Sequence, residues 1–305
     1  MTEEMVAVFA GSSIRLAAPL LLAASGELVS ERAGVLNMSV EGMMLLGAFA
    51  GAAGAWATGS PLLGLAIGVL AVLPLAALQA YLSITLRANQ IVTGIGLNIL
   101  VLGATTLAYR LLFGGRSRVE IPGLGPWAPP GLAQLPLLGE QVFRQTWLLY
   151  LGLVLVGLIA WALRHTAWGL ALHAAGTAPR AADQSGLPVR RLRYGAVMVT
   201  GVMSALAGCF LSIGDIHTFT EGMTKGVGYL AIAAVIFGNW KLGRTLAACL
   251  LFGAATALQF QLPALGVDVP SALLIMLPYL LAMLAVAGLA GRQRAPAALS
   301  VPYHR

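Results

Sequence analysis

Residues 31–46 read ERAGVLNMSVEGMMLL. Two charges open the stretch, Asn37 and Ser39 sit in its middle, and Glu41 stands at the mouth of an apolar run. In a water-soluble protein this would be an ordinary helix start. Its surroundings are not ordinary: the 305-residue chain is 59% hydrophobic and only 10% charged, with a mean hydropathy of +0.86, whereas soluble domains carry about 25% charged residues. A carboxylate in such company needs partners or an aqueous setting. If Asn37 or Ser39 caps a helix that begins near Val40, Glu41 falls in its first turn, where the exposed amides and the helix dipole favour it by roughly 0.3–1 kcal/mol. The alternative is a place beside a transport path. Both require a helix that starts part-way into a membrane.

Working outward, runs of roughly 20 apolar residues, each enough to cross a bilayer, are expected at about 6–25, 41–58, 61–86, 91–113, 145–164, 192–214, 243–262 and 270–291. A further run at about 227–238 is too short to cross alone and follows the polar segment DIHTFTEGMTKG. The fold class expected is therefore an all-α integral membrane protein with about eight transmembrane helices plus interrupted segments. The net charge of +7 comes from basic residues spread among short loops; it points to cytoplasmic loops rather than to nucleic acid. Cys209 and Cys249 lie in apolar runs and read as small packing residues. The acidic start, MTEEMVAVFA, does not resemble a cleavable signal.

Orientation follows from Lys and Arg in the loops. Arg164, Arg180, Arg190, Arg191 and Arg193, then Lys241 and Arg244, then Arg292 and Arg294, fall on one side, which is read as cytoplasmic. The 114–144 connection, with Arg116, Arg118 and Arg144, is then external, as is the N-terminus. The order helix, interrupted segment, helix, helix occurs at about 6–113 and again at about 192–291. One extra span separates the copies, so they run in opposite directions: two inverted repeats, with a cytoplasmic loop at about 165–191. Repeats of this kind with interrupted helices in matching positions mark a transporter.

That loop contains AAGTAPRAADQSGLPVRR. Pro179 suits a first helical position; Gly186 suits a left-handed stop, and Pro188 prevents resumption. A helix of about seven residues is too short to stand alone in water, so it rests on a surface, either this protein's own loops or a cytoplasmic partner.

ERAGVLNMSVEGMMLLGAFAG, GTAPRAADQSGL and MTKGVGYLAIAAVIFGNWKLGRTLAACLLFGAATAL together resemble the permease subunits of bacterial ABC importers for ribose-type sugars, branched-chain amino acids and nucleosides. The likeness runs from about 10 to 290. GVLNMSVEGMMLLGAF and GYLAIAAVIFGNW look most like the permeases that work with purine-nucleoside-binding lipoproteins. The resemblance implies a single permease domain over 1–305 in the bacterial cytoplasmic membrane. It implies as partners a cytoplasmic ABC ATPase, a second permease subunit in a heterodimer and an external binding lipoprotein. In such permeases the loop with Gly-x-x-Pro-x-Ala-Ala-x-x-x-Gly presents a coupling helix to the ATPase; Gly176, Pro179, Ala181, Ala182 and Gly186 match it. Thr177 and Ala178 stand where the family often has more polar residues, including Glu.

Other candidate pathway residues are uncharged or lie in the second interruption. Thr93 and Asn98 are hydrogen-bonding residues inside an apolar run; Asn98 is costly in lipid, so it glues helices or lines the path. Phe219 either stacks on a passing ring or anchors at the membrane boundary. Glu221 and Lys225 are spaced to pair if that segment is helical, while Asp215 and His217 read as an external loop. Gly47 with Gly51, and Gly64 with Gly68, read as close-packing pairs. The sequence has no P-loop, His-Glu-x-x-His or Gly-x-Ser-x-Gly motif. No cofactor or metal and no ATP site of its own are expected. A permease for simple sugars or branched-chain amino acids, and an ion-gradient-driven secondary transporter, remain the alternatives to nucleoside import. No carboxylate sits clearly mid-span to carry an ion.

Overall fold

The computed structural model describes residues 3–114, 119–129, 131, 139–264, 266, 270–284, 287 and 295–303. Arg116, Arg118, Arg292 and Arg294, used above for orientation, lie outside the described residues. The first helix, α1 (Glu3–Arg32), outruns its expected end near residue 25. A hydropathy reading stops at the first charges, but Glu27 and Glu31 are fully buried inside the bundle and the helix carries them to Arg32. After a break at residues 33–39 come α2 (Val40–Thr58), α3 (Pro61–Ala80) and α4 (Gln90–Phe113). Ser60 caps α3 by accepting from Leu63 N, and α3 runs on into one π-helical turn at Tyr81–Thr85. Asn89 caps α4 by accepting from Ile91 N and Val92 N.

In the connection after α4, β1 (Pro126–Trp127) pairs antiparallel with β2 (Gln145–Thr146), with α5 (Gly139–Phe143) between them. Then follow α6 (Trp147–His165), α7 (Ala167–Thr177), α8 (Pro179–Gln184) and α9 (Val189–Cys209), which extends through a π-helical segment, Phe210–Ile216. The chain closes with α10 (Val227–Phe237), α11 (Leu242–Ala264) and α12 (Ser271–Leu284).

Seven helices among the described residues are long and apolar enough to cross a membrane. The eighth expected span is α12, described over 14 residues, and α10 with 11 is too short, as anticipated. The bundle has an inner layer and a lipid-facing layer. The α9 span is 78% buried within the protein, whereas those of α3, α4 and α6 are each 28% buried. Leu70, Ile99, Leu111, Val154 and Leu158 on these outer helices are exposed, as expected where lipid rather than water is the solvent. In the centre α1 packs on α9 and α11, α2 on α3 and α9, and α10 on α1 and α11.

Close backbone approach explains the small residues. Gly208 sits where α9 crosses α2: a Cβ on it would lie 1.9 Å from Met44 O. Gly47 O accepts from Cys209 Sγ at 3.3 Å in the same crossing, so Cys209 is a packing residue as read. Gly51 and Gly64 likewise meet backbone to backbone between α2 and α3.

Loops gather at two ends of the bundle. At one end the residues after α1 meet the stem of the 165–191 loop, the 238–241 turn and the 295–303 tail. At the other, residues 119–127 and Thr146 lie over the end of the α9 extension: Ile121 N donates to His217 O, Leu124 N to Ile213 O and Thr146 Oγ1 to Gly214 O. Arg144 pairs there with Glu140 at 2.7 Å.

Candidate transport pathway

The break between α1 and α2 is built from its own polar side chains. Glu27 Oε1 accepts from Asn37 N at 2.8 Å, and Asn37 Oδ1 accepts from Ser39 N at 3.1 Å and Ser39 Oγ at 2.6 Å. Asn37 and Ser39 are both fully buried. Neither side chain caps α2 by a hydrogen bond: Ser39 is spent on Asn37, which in turn shapes the loop.

Glu41 does stand in the first turn of α2, as expected, but its hydrogen bonds go elsewhere. Its carboxylate reaches across to α10, accepting from Thr224 Oγ1 at 2.6 Å, Gly226 N at 2.8 Å and Gly228 N at 2.7 Å. The N-termini of two interrupted helices, one from each end of the chain, thus point at each other with one carboxylate between them. Each N-terminus carries unpaired amides and the positive end of a helix dipole; Glu41 stands in the first turn of one and supplies acceptors to the other. The arrangement is the cap reading transferred to a distant helix, which local sequence cannot show.

Asn98 secures the same junction from α4. Its Oδ1 accepts from Gly42 N at 2.7 Å, while Nδ2 donates to Met38 O at 2.8 Å and Tyr229 Oη at 2.8 Å. All its principal hydrogen-bonding capacity goes into holding the break of α2 and the first turn of α10 in register. Thr93, one turn earlier, bonds back to Asn89 O and Gln90 O of its own helix and is not drawn into the junction.

The second interruption, residues 217–226, forms turns rather than a helix, so the anticipated Glu221–Lys225 pair does not form. Glu221 instead meets Arg110 of α4 at 2.9 Å, and that hydrogen bond holds its carboxyl below the usual range. Lys225 adopts φ +44°, and its carbonyl accepts from Tyr279 Oη at 2.6 Å. Phe219 is buried, edge-on to Phe49 at 5.3 Å and tilted against Tyr109 at 5.5 Å; it belongs to an internal aromatic cluster rather than to the membrane boundary. Asp215 lies 3.6 Å from Arg15 at the end of the bundle covered by residues 119–127, beside a cleft of about 530 Å³ also lined by His217.

Four residues of this region were not singled out from sequence: Glu27, Glu31, Thr224 as a partner of Glu41, and Trp240. Glu31 accepts from the indole N–H of Trp240, and the neighbouring Arg32 donates to Trp240 O at 2.7 Å. The available signal was the spacing of Glu27 and Glu31, one helical turn apart on a run that continues α1.

In the 165–191 loop the expected short helix is α8, with Pro179 at its first position and Gly186 left-handed at φ +85°. An additional helix, α7, precedes it. Ala182 is buried among Ala175 and Val189, so it seats α8 on the protein itself. Arg180, Ala181, Gln184 and Ser185 form the exposed face.

An all-helical membrane bundle with two interrupted helices meeting head to head inside it defines a membrane permease. Over residues 9–290 the sequence matches the family described as branched-chain amino acid transport system / permease component. The chain belongs to this family and is an ABC-transporter permease subunit. It is 35% identical to the guanosine ABC transporter permease protein NupQ of Bacillus subtilis, covering 98% of this chain and 97% of that one. It is 39% identical to a Haloferax volcanii protein named as a glucose ABC transporter permease, TsgC13, over 82% of this chain and 76% of the other. It is 32% identical to the nucleoside ABC transporter permease protein NupC of Lactococcus lactis, over 93% of each. No solved structure is similar enough to match.

Proposed function

We propose that the chain is the membrane subunit of an ATP-driven importer of purine nucleosides in a bacterial cytoplasmic membrane. The observation that carries the substrate class is the end-to-end likeness to NupQ and NupC. The junction at Glu41 and Asn98 agrees with it: the Glu41 carboxylate is engaged by three donors of the protein itself. It is thus not free to act as an ionic clamp of the kind a charged solute demands in a low dielectric. The path runs between the two interrupted segments, with Asn37, Ser39, Glu41, Asn98 and Glu221 at or near its walls and Thr93 and Phe219 in the second rank.

The two segments belong, in this reading, to inverted repeats at about 6–113 and 192–291. An exchange of packing partners supports this. Helix α1 lies on α11 while α9 lies on α3, and α2 lies on α9 while α10 lies on α1. Each half thus contributes its first helix to the other half.

Energy enters through partners. A cytoplasmic ABC ATPase docks on the loop around Gly176, Pro179, Ala181, Ala182 and Gly186; a second permease chain and an external binding lipoprotein complete the importer. Because Ala181 is exposed and Ala182 is not, Ala181→Asp is expected to cut co-purification of the ATPase while membrane insertion is unchanged. ATPase recovery at the wild-type level would remove the docking role.

The test of the whole reading is uptake into vesicles that hold the complete complex. Inosine, guanosine or adenosine should accumulate only with ATP on the cytoplasmic face and the binding protein on the other, and collapse of proton and sodium gradients should change nothing. Ion-driven uptake by this chain alone would overturn the reading. Because TsgC13 is named for glucose, a simple-sugar substrate is the second reading; ATP-dependent glucose uptake without nucleoside uptake would select it.

A further inference from the structure

We propose that Arg193 is the positioning residue that carries movement of the α7–α8 loop to the break between α1 and α2. The proposal rests on the ATPase-docking role given to that loop. Arg193 enters from the first turns of α9 and is 2% exposed. Its Nε donates to Ala33 O at 3.0 Å, Nη2 to Ala175 O at 3.4 Å and Nη1 to Val301 O at 3.2 Å.

These three carbonyls belong to three separate segments: the first residue after α1, the end of α7 just before the docking helix, and the tail that follows the last span. Among the described residues no carboxylate is one of its hydrogen-bond partners. Burying a guanidinium on carbonyls alone is expensive, and an apolar side chain would pack a helix more cheaply. What the guanidinium supplies is a rigid planar fork able to fix several acceptors at once, which neither an apolar residue nor a single ammonium provides.

Around that fork the backbones are pressed together. A Cβ on Gly176 would lie 1.9 Å from Arg32 O, and one on Gly34 would lie 2.8 Å from Arg193 Nη2. The tail straps the junction from outside, Ala298 N donating to Gly176 O at 2.9 Å and Ser300 N to Gly34 O at 3.3 Å. Little slack remains, so a displacement of the α7 end is delivered to Ala33. Beyond Ala33 the backbone runs through a set of polar contacts: Ser30 Oγ donates to Val35 O, Asn37 N to Glu27, Ser39 Oγ to Asn37 Oδ1 and, from the α10 N-terminus, Gly226 N to Glu41. Arg193 is where the docking loop joins that series.

The test reads coupling rather than activity alone. In vesicles holding the complete complex with its ATPase and binding protein, Arg193→Met should keep ATPase recovery and ATP hydrolysis while ATP consumed per nucleoside imported rises about ten-fold. Arg193→Lys keeps charge and approximate volume but offers one head group to three carbonyls, and should give a smaller rise. An unchanged ratio in both variants, with the ATPase bound, overturns the proposal and leaves the docking role intact. Uptake and hydrolysis falling in step, with loss of ATPase from the complex, also overturns it, because Arg193 would then serve only to build the docking surface. An ATPase that never binds the wild-type chain removes the docking role and this proposal together.

Discussion

Glu41→Ala is expected to lower uptake by at least about a hundred-fold while the protein still reaches the membrane. The change strands Thr224 Oγ1 and the amides of Gly226 and Gly228. Thr224 and Gly228 are buried and Gly226 is half-buried; a buried donor left unpaired costs about 1–3 kcal/mol, and about 2.7 kcal/mol is already a hundred-fold in an equilibrium. Had Glu41 merely capped its own helix, the loss would have stayed within about 1 kcal/mol and transport would barely change. Glu41→Gln separates the contributions: it keeps one acceptor oxygen but turns an amide N–H toward donors, so its uptake should lie between wild type and Glu41→Ala. Uptake by purified complexes in vesicles, normalised to the permease present, is the measurement. Wild-type rates for Glu41→Ala would remove this junction from the pathway.

Gly208→Ala is expected to be the most damaging single-methyl addition in the membrane core. The new Cβ would sit 1.9 Å from Met44 O, against backbone rather than a side chain that can swing away. Forcing α9 off α2 is an overpacking cost of roughly 1–3 kcal/mol, with larger values where backbone must move. It also stretches the Cys209 bond to Gly47 O. Thermal unfolding in detergent, followed by the fraction that stays monodisperse, should show a clear fall in the midpoint. An unchanged midpoint would mean that the α2–α9 crossing is looser than its backbone contact implies.

The membrane architecture was legible because lipid forces helices to announce themselves as long apolar runs, and the boundaries of α2, α4 and α11 fall within a few residues of the reading. The short helix α8 was legible too, since Pro179 and Gly186 fix its ends by local backbone preference. Two things were not. The end of α1 was misplaced because Glu27 and Glu31 look like an exit from the membrane, yet buried polar groups are tolerated where a protein interior supplies partners such as Asn37 N and the Trp240 indole. The partners of Glu41 lie more than 180 residues away in sequence, and no local pattern encodes a cap delivered to another helix. The same holds for Ala182: a small residue in a short loop helix does not say which of its neighbours it touches, and here it touches Ala175 and Val189.

The head-to-head meeting of α2 and α10 also bears on how the protein is made. Ribosomes deliver the N-terminal helices first, and Glu41 enters the bilayer long before Thr224, Gly226 and Gly228 have been synthesised. Until they arrive, the nascent chain holds a carboxylate inside the membrane with none of its final donors, a state that hydrocarbon penalises. The early helices therefore need a provisional arrangement that keeps Glu41 near water or another shelter, and they reach their final contacts only once Thr224, Gly226 and Gly228 have been made. Completion of the first half is an event in the biosynthesis of the second.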